Sequence, residues 1–122
     1  MVAEPLKRVL PSPRVRLARV ALETALATKQ VAAGTPGRHS QWATADAGEQ
    51  LSGVLATVRP DGRYDVELCL VARWPVPPLH ELGEQIRTRV QCALEREGLG
   101  DSLGDLGVAF GDLLAPDEPA VE

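Results

Sequence analysis

A strict alternation of side chains marks the middle of the chain. Between Tyr64 and Trp74 every even-numbered residue is apolar. Since successive side chains of a strand point to opposite faces, this pattern predicts a strand with one buried face. The other face would carry Asp65, Glu67, Cys69, Val71 and Arg73.

A helical repeat of apolar residues follows the predicted strand. Three prolines at positions 75, 77 and 78 end the strand, because proline cannot donate to a ladder. Apolar residues then recur at helical spacing, which predicts a helix with one apolar stripe: Leu79, Leu82, Ile86, Val90, Ala93 and Leu94. Gly98 is placed to terminate this helix. The simplest way to bury both apolar surfaces is to lay the helix on the strand.

Weaker patterns predict the remaining elements. Ser12 and Pro13 are good capping and first-turn residues, and the apolar stripe after them predicts a first helix over residues 13–28. Alternation over residues 54–58, followed by the turn sequence at 60–62, predicts a hairpin with the central strand. Residues 106–110 alternate as a short last strand.

The segment between the first helix and the hairpin gives the weakest pattern. Turn residues fill 33–38 and 47–49, and a short strand is predicted at 41–45, around Trp42. The predicted order is helix, short strand, strand, strand, helix, strand. It indicates an α+β fold: a two-layer sandwich of a mostly antiparallel sheet of three to four strands with two helices on one face. Residues 1–12 are predicted to be a flexible tail, 13–114 one domain and 115–122 an acidic tail.

Charge is unevenly distributed along the chain. The 122 residues carry a net charge of −4, yet residues 1–40 hold seven basic and two acidic residues. Residues 41–122 hold six basic and fifteen acidic residues. This asymmetry fits solvated faces, or a basic patch that meets an anionic surface or an acidic partner. The chain shows no signal peptide pattern and no run near the roughly 18 apolar residues of a membrane span. We therefore expect a soluble protein whose membrane contact, if any, is peripheral.

Catalytic or metal-binding patterns are not evident. Cys69 and Cys92 lie far apart, in strand and helix, which favours free thiols in a reducing cytosol over a metal cluster. His39 lies in a predicted loop with no acid close in sequence, and a positively charged His80 in the first turn of the second helix would oppose the helix dipole. A catalytic triad built from either would need tertiary coincidence. We therefore predict no catalytic, metal-binding or cofactor-binding residues and no small-molecule substrate.

Two glycine patterns have binding interpretations. The Gly98-Leu-Gly100 run lacks a third glycine at the required position and follows a helix, so it does not predict a dinucleotide loop. The Gly34-Thr-Pro-Gly37 sequence fits the GxxG pattern of KH nucleic-acid modules, although the pattern is common and the domain acidic. A KH-like module is kept as the alternative function.

The polar face of the central strand is the candidate interaction surface. If both helices cover one side of the sheet, the other side exposes Asp65, Glu67 and Arg73, which we predict as partner-binding residues. An ordinary solvated face is the other interpretation of the same residues.

Residues 66–86 resemble the core of the alkaline shock or envelope stress response family of Gram-positive bacteria. An alternating strand ends at Arg73-Trp74-Pro75, and a proline-containing link opens a helix with Ile86, Val90 and Leu94 at wide spacing. Residues 106–110 are similar to the last strand of that family, and 15–27 to its alanine-rich first helix. The resemblance covers about residues 13–114.

The resemblance implies a small, non-enzymatic cytoplasmic protein of envelope homeostasis under stress. It implies an integral-membrane anchor protein as partner, self-association, or both, with any membrane contact peripheral at the inner face of the cell membrane. It implies no cofactor.

The sequence as a whole leaves three hypotheses: an envelope stress scaffold or adaptor, a KH-like nucleic-acid module, and a small hydrolase using His39 or His80.

Overall fold

The computed structural model of the chain describes residues 12–46 and 49–119. In this part of the chain, two α-helices and six strands are joined by short connections and one 3₁₀ turn at Gly100–Ser102. In chain order they are α1 (Pro13–Leu26), β1 (Val31–Gly34), β2 (Ala43–Asp46), β3 (Glu49–Ser52), β4 (Val54–Val58), β5 (Tyr64–Arg73), α2 (Leu79–Arg96) and β6 (Leu103–Leu114). The predicted α+β class is confirmed. Of the predicted N-terminal tail, only Ser12 lies within the described residues.

Helix α1 begins at its predicted cap. The Oγ of Ser12 accepts a hydrogen bond from the backbone N–H of Val15 at 3.3 Å, and Pro13 occupies the first turn, where a missing N–H costs nothing. The helix ends at Leu26, two residues before the predicted end. The N–H of Thr28 donates to the carbonyl of Ala25 at 3.0 Å, three residues back, which tightens and ends the last turn.

Strand β5 is the centre of a four-stranded sheet within the described chain. It pairs antiparallel with β4 from Val54 opposite Leu68 to Val58 opposite Tyr64, so the predicted hairpin is confirmed. The turn between the two strands is stabilised by Asp61, whose Oδ1 accepts from the N–H of Arg63 at 3.0 Å.

Strands β1 and β4 occupy the same edge of β5, end to end and in the same direction. β1 lies opposite residues 70–72 of β5, and β4 lies opposite residues 64–68. Cys69 faces the junction: its N–H donates to Gly53 O at 2.8 Å, and its carbonyl accepts from Thr35 N–H at 2.9 Å. Residues 35–53 therefore leave the sheet edge and return to it at the next register position.

Two glycines make this junction possible. A Cβ on Gly53 would lie 2.7 Å from the Cα of Gly34, and Gly53 has a φ of +101°. Both the close backbone approach and the left-handed conformation favour glycine at position 53.

Strand β6 pairs with the other edge of β5 and runs parallel to it, from Val66 opposite Leu106 to Arg73 opposite Leu114. Helix α2 supplies the crossover that a parallel pair requires. It ends before Gly98, which has the positive φ of +75° expected of a residue just past a helix. Strand β6, at Leu103–Leu114, is longer than the last strand predicted at residues 106–110.

The core lies between the sheet and the two helices. Val66, Leu68, Leu70 and Ala72 of β5 are fully buried on the helix side, together with Ile86 of α2. The prediction that the even-numbered face of β5 is the dry one is therefore confirmed. Helix α1 contributes its own stripe of buried residues to the same core: Leu17, Ala18, Ala21, Leu22 and Ala25.

The segment 29–52 departs most from the sequence prediction. β1 and β3 were not predicted, and the predicted strand at 41–45 is β2 at Ala43–Asp46, which starts after Trp42. Of the predicted turn at 47–49, Glu49 belongs to β3, and positions 47 and 48 lie outside the described residues. β2 and β3 form a small antiparallel sheet, held to β4 by Thr44, whose buried Oγ1 donates to Val54 O at 2.9 Å.

Candidate interaction face

The sheet face that the helices leave uncovered is called the open face here. It is formed by the odd-numbered side chains of β5 and by the neighbouring side chains of β6 that point the same way. The predicted partner-binding residues Asp65, Glu67 and Arg73 all belong to it: Glu67 is exposed, and the other two are partly exposed. The structure therefore brings the three onto one surface, spread along β5.

The loop over residues 35–42 forms one wall of the open face. The Nε1 of Trp42 donates a hydrogen bond to Oε1 of Glu67 at 3.3 Å, and Trp42 N–H donates to Pro36 O at 3.0 Å. The indole ring packs on Gly37, where a Cβ would lie 2.5 Å from a ring carbon. Sequence reasoning identified Trp42 as a strand residue and missed this role.

The segment 115–119, called the strap here, forms the other wall. Nη1 of Arg73 donates to the carbonyls of Ala115 at 3.3 Å and Pro116 at 3.4 Å, and also to that of Glu118. The Oε1 of Glu118 in turn accepts from Ala115 N–H at 3.0 Å. One guanidinium therefore fixes the strap beside the end of β5.

A cavity of about 650 Å³ lies between the two walls. Its floor consists of small side chains from three strands: Ala33, Gly34, Cys69, Ala109 and Gly111. Trp42 and Arg38 line it from the loop, while Asp112 and Glu118 line it from β6 and the strap. The volume is in the range of sites that hold a ligand or a large side chain.

Cys69 lies at the floor of this cavity and is only 3% exposed. A Cβ on Gly111 would lie 3.3 Å from its Sγ, so the thiol is packed directly against β6. Burial raises the pKa of the Cys69 thiol, which favours the neutral form over a nucleophilic thiolate. The sequence correctly placed Cys69 on the polar face, but it did not indicate that the loop and β6 would bury it.

The carboxylates of the open face differ in whether a neighbouring cation neutralises their charge. Asp65 lies 3.4 Å from Arg59 and also accepts from Asp105 N–H at 2.8 Å. By contrast, none of the ion pairs in the described chain involves Glu67, Asp112 or Glu118. Asp112 and Glu118 therefore line the cavity, with Glu67 beside the loop wall, as carboxylates that form no ion pair within the described residues.

Residues considered for catalysis are dispersed over the surface. His39 is exposed in the loop wall, and His80 is exposed in the first turn of α2. The Gly34-Thr-Pro-Gly37 sequence begins at the last residue of β1 and continues into the loop wall, and the next element after it is strand β2, not a helix. Within residues 12–46 and 49–119, no group of three His, Cys, Asp or Glu side chains is placed to hold a metal ion.

Among the described residues, no helix is both long enough and apolar enough to span a bilayer.

Comparison with known proteins gives no match. No protein-family model matches the chain, and searches of curated proteins and of solved structures return no significant similarity. The resemblance to envelope stress response proteins therefore stays a prediction from the sequence.

Proposed function

We propose that the protein is a non-enzymatic scaffold or adaptor of the envelope stress response that acts through protein–protein contacts near the membrane. The observation that carries this proposal is the open face, a preformed concave surface that the helices do not cover. Antiparallel sheets often leave one face to solvent, but here two walls and a cavity shape that face. The partner is an integral-membrane anchor protein, a second copy of the chain, or both.

The chemistry of the cavity supports binding more than catalysis. The thiol that lines it, Cys69, is kept neutral by burial, and no histidine is among the lining residues. The fixed walls instead present hydrogen-bonding and apolar groups in a set geometry, which reduces the entropic cost of association.

Imaging tests the proposal directly. A tagged copy in its host, under envelope stress, is expected to give a signal at the cell periphery. Glu67→Lys, which reverses a charge on the open face, should make that signal diffuse. Glu95→Lys makes the same change on the exposed surface of α2 and should leave the signal peripheral. Thermal melting of both purified variants shows whether they are folded.

Two results contradict the proposal. A diffuse signal for the wild-type protein under every envelope stress would exclude a role at the membrane. Recovery of bound RNA after crosslinking, with no protein partner, would favour the KH-like alternative.

A further inference from the structure

Carboxylates extend along the open face in one direction. Glu67 lies beside the loop wall, Asp112 lies opposite Val71, and Glu118 lies on the strap that Arg73 holds. From Glu67 to Arg73 is six residues of strand, or about 20 Å at ~3.3 Å per residue. A ligand that contacts all three carboxylates must therefore be extended, as a peptide segment is.

The carboxylates of the open face outnumber its cations: Asp65, Glu67, Asp112 and Glu118 stand against Arg38, Arg59 and Arg73. Arg59 is engaged by Asp61 at 3.9 Å and by Asp65 at 3.4 Å, near the start of β5. Arg73 is directed to the strap carbonyls. Arg38 lines the cavity, but its side chain is exposed and forms none of the ion pairs in the described chain. Glu67, Asp112 and Glu118 form no ion pair within the described residues and complement a cationic ligand, while Arg38 opposes such a ligand.

We propose that the open face docks an extended lysine- or arginine-rich segment of a partner protein, with one apolar side chain of that segment in the cavity above Cys69. Cationic side chains would pair with Glu67, Asp112 and Glu118, and Trp42 offers an aromatic surface that also attracts cations. The small residues of the cavity floor leave room for the apolar side chain. In an extended peptide every second side chain points the same way, so an apolar residue between two cationic residues, two positions from each, faces the same surface as they do.

This inference rests on the proposed function and names the chemistry of the partner. Cytoplasmic segments that flank membrane spans are enriched in lysine and arginine. A membrane-anchored partner would therefore present the required composition close to the bilayer. An anionic lipid surface, by contrast, would be repelled by the same carboxylates.

The test uses the full chain and two fluorescein-labelled peptides of equal length. One contains lysine, arginine and leucine, and the other has glutamate in place of the basic residues. Fluorescence anisotropy should show binding of the basic peptide alone, with an affinity that falls as salt is added. Glu67→Gln with Asp112→Asn should lower the affinity by on the order of tenfold or more. Glu81→Gln with Glu95→Gln removes the same charge from α2 and should leave the affinity within about twofold.

Two further variants separate docking from general charge attraction. Ala109→Leu places an apolar side chain in the cavity from an exposed position of β6, so it should abolish binding while the fold is retained. Gln91→Leu is the matched change on the exposed surface of α2 and should have no effect. Arg38→Gln should strengthen binding of the basic peptide, whereas a nucleic-acid site would be weakened by it.

The outcomes are distinct. Equal binding of the two peptides, an equal loss from the α2 charge variants, or unchanged binding in Ala109→Leu would each overturn the inference. If the basic peptide fails to bind while the tagged protein still localises to the cell periphery, the docking inference fails and the proposed function stands. If the peptide binds as expected while the tagged protein is always diffuse, the envelope role fails and the docking site stands.

Discussion

The indole Nε1 of Trp42 donates a hydrogen bond to the carboxylate of Glu67 at 3.3 Å, although the two residues are 25 positions apart. This bond holds the loop wall against the sheet. Trp42→Phe keeps most of the ring and removes the donor, so the free energy of unfolding should fall by about 1–2 kcal/mol. Glu67→Gln retains an oxygen acceptor and should cost less. Urea unfolding of Trp42→Phe, Glu67→Ala and the double variant measures the coupling, because each single change removes the bond, and additive effects would mean that the bond contributes nothing.

Gly53 lies at the junction between β1 and β4, and Gly62 lies in the turn between β4 and β5; a substitution to alanine should cost more stability at the first than at the second. Gly53→Ala should lower the free energy of unfolding by about 3 kcal/mol or more, since its Cβ would meet the backbone of Gly34 at 2.7 Å in addition to the strain of a positive φ. Gly62 also has a positive φ, +89°, but a Cβ there would meet nothing within 4 Å. Gly62→Ala should therefore cost only about 1–2 kcal/mol, from the backbone conformation alone. Equal losses in the two variants would show that the close approach at the junction does not matter.

The two cysteines should differ strongly in reactivity. Cys92 is exposed on α2, whereas Cys69 is buried at the cavity floor with a raised pKa. With a chromogenic disulfide reagent at neutral pH, the Cys92 thiol should react quickly and the Cys69 thiol slowly, and Cys92→Ser should remove only the fast phase. A fast phase that persists in Cys92→Ser would contradict the burial of Cys69.

The same thiol should link stability to pH. Above the ordinary pKa of cysteine, the unfolded chain loses the Cys69 proton while the folded chain retains it. The free energy of unfolding contributed by this group is therefore present at neutral pH and lost as pH rises through the ordinary value toward the raised one. Cys69→Ala should weaken this alkaline dependence in denaturation curves, and Cys92→Ala should not.

Arg73 should control the order of the strap. Arg73→Gln removes the guanidinium that donates to the carbonyls of Ala115, Pro116 and Glu118, so the strap amides should exchange with solvent faster. Amide hydrogen exchange followed by NMR at Ala115 and Glu118 measures the change. Arg63→Gln, at an exposed position of the β4–β5 turn, should leave these rates unaltered.

Two leucines test the assignment of the core. Leu68 is fully buried under the helices, whereas Leu113 of β6 is 45% exposed. Leu68→Ala should cost about 3 kcal/mol of unfolding free energy or more, and Leu113→Ala about 1 kcal/mol or less. Chemical denaturation of the two variants measures both values, and equal losses would contradict the complete burial of Leu68.

The parts of the fold that the sequence predicts are those with local signals. The β4–β5 hairpin has alternation on both arms and a turn sequence between them, and α2 has a long apolar stripe closed by Gly98. β1 has only four residues, two of them alanine, and becomes a strand because residues 70–72 of β5 pair with it. The length of β6 was hidden by Gly104, Gly107 and Gly111, which have low strand propensity; Gly107 pairs with Glu67, and the other two lie where the register with β5 shifts.

The candidate site was predictable only in part. Alternation was sufficient to place Asp65, Glu67 and Arg73 on one face of the sheet. The cavity could not be inferred, since it depends on Trp42 reaching Glu67 and on the strap reaching Arg73. Both are contacts between distant parts of the chain that leave no periodic trace in the sequence.

The end-to-end arrangement of β1 and β4 has a consequence for how this architecture can diversify. The 19 residues between Gly34 and Val54 leave the edge of β5 and return to it at the junction opposite Cys69. They form an insertion between two strands that pair one after the other with β5. Insertions, deletions or grafted sequences there can rework the recognition surface while the β5–α2–β6 framework keeps its hydrogen bonds. Relatives of this chain should accordingly vary most in length between these two positions, and an engineer seeking a new specificity should begin there.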